Sequence, residues 1–100
     1  MDKGEAINKV RQYKVLLGNH FDLESVYLYG SFAKDASRDD SDIDVAVVVK
    51  NISEDYFEVN PLLWKLRRQI DDRIEPILID ISNDQSGFLE EIKRNGIEIV

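Results

Sequence analysis

Gly30-Ser31 is followed, after ten intervening residues, by Asp42-Ile43-Asp44. The run Tyr27-Leu28-Tyr29 delivers the chain to the Gly-Ser turn, and Asp42 and Asp44 open the apolar run Val45-Ala46-Val47-Val48-Val49. Residues i and i+2 of a strand project from one face, so the two carboxylates should point the same way. Like charges held together repel unless a cation lies between them. An all-oxygen pair suits Mg²⁺, which binds through one or two carboxylates, waters and substrate phosphates. A Gly-Ser turn entering a helix would offer backbone N–H groups and a positive dipole end to an anion. A phosphate grip beside a metal clamp is what phosphoryl or nucleotidyl transfer requires.

A two-metal site calls for a third carboxylate, and Glu75 and Asp80 are the candidates. Glu75 begins the apolar run ahead of Ile77-Leu78-Ile79 as Asp44 begins its own, so adjacent strands would bring it to the same sheet edge. Asp80 falls at the far end, and Glu75 is preferred. The bland alternatives are a solvated acidic loop for Asp39, Asp40, Asp42 and Asp44, and a surface pair with Arg73 for Glu75. The first is disfavoured because Asp44 leads straight into a buried strand, where a charge without a role is costly. An EF-hand counted from Asp40 fails, since Val45 and Asn51 stand where Gly and Glu are required. No Gly precedes Lys-Ser or Lys-Thr, which excludes a P-loop. His20, the single histidine, reads as structural, which disfavours a Ser-His-Asp mechanism. Lys34 and Arg38 could meet phosphates across the loop. Trp64 reads as core or interface, and Arg67-Arg68 as the solvated side of a helix.

The elements that must position these residues follow from periodicity. Ile7, Val10, Tyr13, Leu16 and Leu17 predict a helix over Ala6–Leu17, stopped at Gly18-Asn19. Glu24–Tyr29 reads as a strand, Gly30–Ala36 as a turn and short helix, and Ser37–Ser41 as a loop. Asp42–Val49 is a β-branched strand too apolar to be half exposed. Ser53–Ile70 reads as a long helix capped by Ser53, with Pro61 delaying or breaking its start. Arg73–Ile81 is a third strand, placed at an edge or bulged because Pro76 cannot donate to the ladder. Ser86–Asn95 is a short helix capped by Ser86 and stopped by Gly96, and Ile97–Val100 a last strand. This alternation predicts an α/β (α+β) domain with a small mixed β-sheet flanked by helices.

A chain of 100 residues is expected to form a single domain, residues 1–100. With no cysteine, a disulfide framework or thiolate zinc site is impossible. No h-region follows Met1 and no run is long enough to span a membrane, so a cytoplasmic protein is expected. The net charge of −7 disfavours direct nucleic-acid binding. It leaves a nucleotide carried with Mg²⁺ open, because that site requires only local positive charge.

The run Tyr29-Gly30-Ser31-Phe32-Ala33-Lys34 through Ser41-Asp42-Ile43-Asp44-Val45 resembles the signature of the DNA polymerase beta-like nucleotidyltransferase superfamily. It is most similar to the minimal nucleotidyltransferase (MNT) branch. Phe88-Leu89-Glu90-Glu91-Ile92 and Asn95-Gly96-Ile97 look like that branch's closing helix and strand. The resemblance implies the nucleotidyltransferase fold. It implies nucleotide contacts at Gly30, Ser31 and Ser41, and two Mg²⁺ ions held by the catalytic carboxylates Asp42, Asp44 and Glu75. One departure is Lys34-Asp35, where the branch usually has Arg-Gly: lysine lacks a bidentate fork, and Asp35 adds negative charge near the phosphate site.

Larger relatives carry a helical domain for the acceptor, and this sequence ends at Val100, so a partner is expected to complete the site. By resemblance that partner is a HEPN-domain toxin, with this chain the antitoxin that moves AMP from ATP, or another NMP from its NTP, to a hydroxyl on it. Two alternatives stand beside this: a catalytically silent antitoxin that neutralises by binding, and a small-molecule nucleotidyltransferase of the aminoglycoside type.

Overall fold

The structure, a computed structural model, describes residues 1–20, 22–38, 41–50, 56–83 and 86–100; the side chains of Tyr56, Phe57 and Asn83 are not described. Helix α1 (Lys3–Gly18) starts ahead of its periodic stripe, because Asp2 caps it: the carboxylate accepts from the Glu5 backbone N–H at 2.8 Å. Its buried residues Ala6, Val10, Tyr13 and Leu17 recur every three or four positions and turn one stripe to the core.

Strands β1 (Ser25–Tyr29) and β2 (Ile43–Val49) follow, then α2 (Tyr56–Leu66), β3 (Ile74–Asp80), α3 (Phe88–Asn95) and the short β4 (Ile97–Glu98). They form one mixed sheet in the order β3-β2-β1-β4. β1 runs antiparallel to β2 and β4, while β2 and β3 are parallel and joined across α2. The expected α/β (α+β) class, a small mixed sheet flanked by helices, is therefore observed. The expected edge position of the Pro76 strand is observed too: among the described residues β3 has a neighbour on one side only, so the missing donor interrupts no second ladder.

Both faces of the sheet are covered. Val26, Leu28, Ile43, Val45, Val47, Val49 and Ile74 pack under α1 and α2 with Tyr13, Leu17, Leu63 and Leu66. Tyr27, Ala46, Val48 and Ile79 pack under Leu89 and Ile92 of α3. The Tyr13 hydroxyl donates to the Leu63 carbonyl at 2.8 Å and ties α1 to α2; burial pushes this phenol well above its ordinary range, with Arg67 opposing.

Four expectations are corrected. The residues after Gly30 form a hydrogen-bonded turn, not a short helix; it is closed by Lys34 N–H to Gly30 O at 3.1 Å and Ala36 N–H to Ser31 O at 2.9 Å. Asp35 takes the left-handed φ of 57°, which ends helical winding there. Second, Pro61 lies inside α2 without breaking it, and α2 stops at Leu66, tightening into a 3₁₀ turn at Arg67–Gln69. The expected Ser53 cap lies outside the described residues, as do Asp39 and Asp40 of the acidic loop. Third, α3 is preceded by Gly87 at φ 76°, and Ser86 acts one position earlier, its hydroxyl accepting from Phe88 N–H at 3.2 Å. Fourth, β4 is two residues long, although Ile99 N–H still donates to Val26 O at 2.8 Å.

Candidate active site

Strand register brings the acidic residues together. Asp44 lies opposite Tyr29 of β1 on one side and Glu75 of β3 on the other. Pleating then puts Asp44 on the face of Ala46 and Val48, and Glu75 on the face of Ile77 and Ile79, so both carboxylates stand on the α3 side of the sheet. Asp42, two residues before Asp44, is close enough for its charge to raise Glu75. The junction is pinned by Ile43 N–H donating to Arg73 O at 2.8 Å.

Arg67 relieves the cluster only in part. Desolvation, and then the Asp42 charge, push Asp44 above the ordinary carboxylate range. Glu75 is pushed up by desolvation, by Asp42, and by Asp44, with Arg67 opposing. Repulsion between two such surface carboxylates is of order 1–4 kcal/mol at contact distance. The fold tolerates it because Val45, Val47, Val48 and Val49 are fully buried, each stabilising by about 1.5–3 kcal/mol. Among the described residues no three His, Asp or Glu side chains converge in ready metal-ligating geometry. The donor set still fits a hard divalent cation: all ligands are oxygens, and the exposed Asp42 and Glu75 side chains can turn toward an ion without backbone movement.

Gly30 forms the adjoining wall. Its φ is 75°, and a Cβ built there would stand 2.1 Å from Asp44 Oδ2. The turn is anchored by Phe32, which is fully buried among the α1 and α2 contacts. Among the described residues the backbone N–H groups of Ser31, Phe32 and Ala33 donate to no protein acceptor, and the Ser31 hydroxyl has no hydrogen bond. Donors of this kind beside Gly30 suit phosphate oxygens. Ser41 is placed otherwise: its hydroxyl accepts from Arg38 N–H at 2.7 Å and its N–H donates to Arg38 O at 3.0 Å, so it closes the loop that precedes Asp42. The Asp35 charge is paired with Lys3 at 3.2 Å across a solvent-exposed contact.

The remaining charged and polar candidates are placed as follows. Arg67 is half-buried rather than solvated: its guanidinium donates to the carbonyls of Asp72 and, at 3.0 Å, of Ile74, and stacks 4.7 Å from the Trp64 ring. It thereby holds the backbone directly before Glu75. Arg73 pairs with Asp71 at 3.2 Å. Asp80 lies opposite Val49 at the other end of β3 and accepts from the hydroxyl and N–H of Ser82 at 2.6 and 3.0 Å. His20 has an exposed side chain, and its N–H closes α1 on Leu17 O.

Tyr29 joins the site although no motif spacing points to it. Its phenol is pushed up by burial, then by Asp44 and Glu75, and its ring meets Phe88 edge-on at 5.8 Å. The signal for it was strand alternation: Tyr29 is on the face opposite Leu28, the same face as its register partner Asp44. Tyr29 and Gly30 also line a cavity of about 220 Å³ completed by Lys34, Phe88, Glu91, Ile92, Asn95 and Gly96.

A mixed sheet carrying paired carboxylates beside a glycine turn defines a class of nucleotide-handling domain. Residues 11–100 match the family described as Polymerase beta, Nucleotidyltransferase, and the chain belongs to it. None of the curated proteins matches the chain in sequence. Among solved structures, the chain is similar to a nucleotidyltransferase candidate from Sulfolobus solfataricus, with 24% identity and a TM-score of 0.69 over 96% of this chain and 80% of that one. It is also similar to a chain of a toxin-antitoxin structure with AMP-PNP, with 24% identity and a TM-score of 0.57 over 93% of this chain and 73% of that one. At that identity the likeness establishes the fold. Among the described residues no helix is long and apolar enough to cross a membrane.

Proposed function

We propose that the protein is a Mg²⁺-dependent nucleotidyltransferase that moves AMP from ATP to a hydroxyl on a HEPN-type toxin, serving as its antitoxin in the cytoplasm. The observation that carries this reading is the register pairing of Asp44 with Glu75 on one sheet face against the Gly30 turn, with Asp42 close enough to raise Glu75. Family membership supports the transfer chemistry, and the likeness to a toxin-antitoxin structure supports a protein partner.

Asp42, Asp44 and Glu75 would hold two Mg²⁺ ions. When bound, the ions would neutralise triphosphate charge and stabilise the attacking and leaving oxygens. The backbone donors of Ser31, Phe32 and Ala33 hold phosphate oxygens, and Lys34 adds a positive charge to the same turn. Gly30 keeps this grip in contact with Asp44. The acceptor oxygen attacks the α-phosphorus in line, its proton passes to the Glu75 carboxylate, and pyrophosphate leaves. Arg67 keeps Glu75 in place by binding the preceding carbonyl.

The test is intact-protein mass spectrometry of a HEPN-type partner incubated with the chain, ATP and Mg²⁺. The expected result is a partner heavier by one or more AMP units, with no increase when Asp42→Asn/Asp44→Asn replaces the wild type. Wild-type protein that binds and silences the partner with no mass change overturns the enzyme reading in favour of occlusion.

A further inference from the structure

The cavity beside the carboxylates has a composition that phosphate binding does not explain. Tyr29, Phe88 and Ile92 give it an apolar wall, Lys34 joins from the turn, and Glu91 and Asn95 join from α3. At about 220 Å³ it is below the ~300 Å³ at which pockets begin to enclose a drug-sized ligand. It is therefore too small for a whole nucleotide and suited to one ring system.

Its position follows from backbone packing. Leu28 pairs with Ile97, and continuing that antiparallel register sets Gly96 and Asn95 alongside Tyr29 and Gly30. Gly96 permits the approach: a Cβ there would stand 3.0 Å from Leu28 O and 2.6 Å from Ile92 O. The end of α3 is thus clamped against the end of β1, next to the turn and to Asp44. Phe88, Glu91, Ile92 and Asn95 form a stripe at helical spacing along the edge of α3 that faces this space. Elsewhere such a Glu–Asn pair would be an ordinary solvated flank. Here both side chains line a cavity, and among the described residues neither has a hydrogen bond or ion pair.

We propose that this cavity receives the nucleobase of the substrate, and that Glu91 and Asn95 select adenine. The inference rests on the nucleotidyltransferase reading and adds the base to it. A carboxylate only accepts hydrogen bonds. It therefore favours a base with an exocyclic amine and opposes the carbonyl that hypoxanthine, guanine or uracil presents there. A side-chain amide can bond adenine at N6 and N7 together. Cytosine carries an amine but lacks N7 and fills less of the apolar wall. The base enters between Phe88 and the Gly30 turn, and its triphosphate extends over the Ser31 to Lys34 donors.

The experiment is isothermal titration calorimetry of the full chain with ATP, ITP, GTP, CTP and UTP in Mg²⁺. ITP differs from ATP by a carbonyl in place of the amine. The expected result is ATP binding about tenfold tighter than ITP, with the ratio falling toward one in Glu91→Gln and ATP binding weakened in Asn95→Ala. Both substitutions are on an exposed helix edge, and unchanged melting temperatures certify the fold. If the five nucleotides bind alike and Glu91→Gln changes nothing, the base assignment is overturned while nucleotide binding stands. If no nucleotide binds at all, the nucleotidyltransferase reading fails and this inference fails with it.

Discussion

The α-carbon of Gly30 and the carboxylate of Asp44 are packed so closely that no side chain fits between them. A Cβ on Gly30 would lie 2.1 Å from Oδ2 of Asp44, and the glycine has a φ of 75°. Gly30→Ala therefore forces either the turn or the carboxylate to move. The left-handed backbone alone costs about 1–2 kcal/mol for an alanine. The expected outcome is a lowered melting temperature together with loss of AMP transfer. A variant with wild-type transfer would show that the contact is incidental to the chemistry.

Asp44→Asn is the complementary change. It removes one charge from a repelling cluster, so the unliganded protein should be as stable as the wild type or more so. ATP with Mg²⁺ should raise the wild-type melting temperature, since a ligand of the native state stabilises it, and this rise should vanish in the variant. Calorimetric melts with and without Mg²⁺-ATP separate the two effects. Collapse of the unliganded Asp44→Asn fold would mark the carboxylate as structural.

Asp71 sets an acid-dependent element of stability. Burial pushes its carboxyl up, but hydrogen bonds from the Arg73 side chain, from Lys9 at 2.6 Å and from the Arg73 backbone outweigh it and hold it well below the ordinary range. A carboxyl depressed in the folded state stabilises the fold above its unfolded pKa, near 4, and loses that contribution as pH falls toward the folded value. With Arg73 partly exposed, the contribution is about 1 kcal/mol. The unfolding free-energy difference between wild type and Asp71→Asn should be full at neutral pH and shrink below about pH 4. Urea denaturation across that range reads it; a difference that grows in acid contradicts the ion-pair account.

Arg67 links stability to the position of Glu75. Arg67→Lys keeps the charge but loses the planar fork that reaches the Asp72 and Ile74 carbonyls, together with the stack on Trp64. A loss of about 0.5–1.5 kcal/mol in chemical denaturation is expected, because one exposed and one part-buried carbonyl lose their donor. Transfer activity should fall further than stability predicts at temperatures where the variant is folded. Equal activity of folded Arg67→Lys and wild type would separate Arg67 from the site.

Much of this was legible in local sequence. The Gly30-Ser31 turn was carried by an apolar run breaking at a glycine. The burial of β2 follows from four valines in five residues. Pro76 announced an edge because a missing donor has the same consequence in any sheet. Where local signals failed, a tertiary partner had intervened. No periodicity distinguishes a turn from one helical turn after Gly30, and the difference lies in Phe32 sinking into the core while Asp35 takes a left-handed backbone. Arg67 looked solvated because its charge is visible in sequence and its acceptors, carbonyls five and seven residues away, are not.

Strand register was the decisive quantity that the sequence alone could not supply. Whether Glu75 or Asp80 joins the aspartates depends on how β3 slides along β2, and a one-residue shift would send every side chain of β3 to the other face. The tertiary structure pairs Asp44 with Glu75 and leaves Asp80 opposite Val49. The clamp of Gly96 on Leu28, and with it the cavity that joins Glu91 and Asn95 to Gly30, brings together residues more than sixty positions apart. Residue types at one end of a chain carry no record of such proximity, because it arises only when the elements pack.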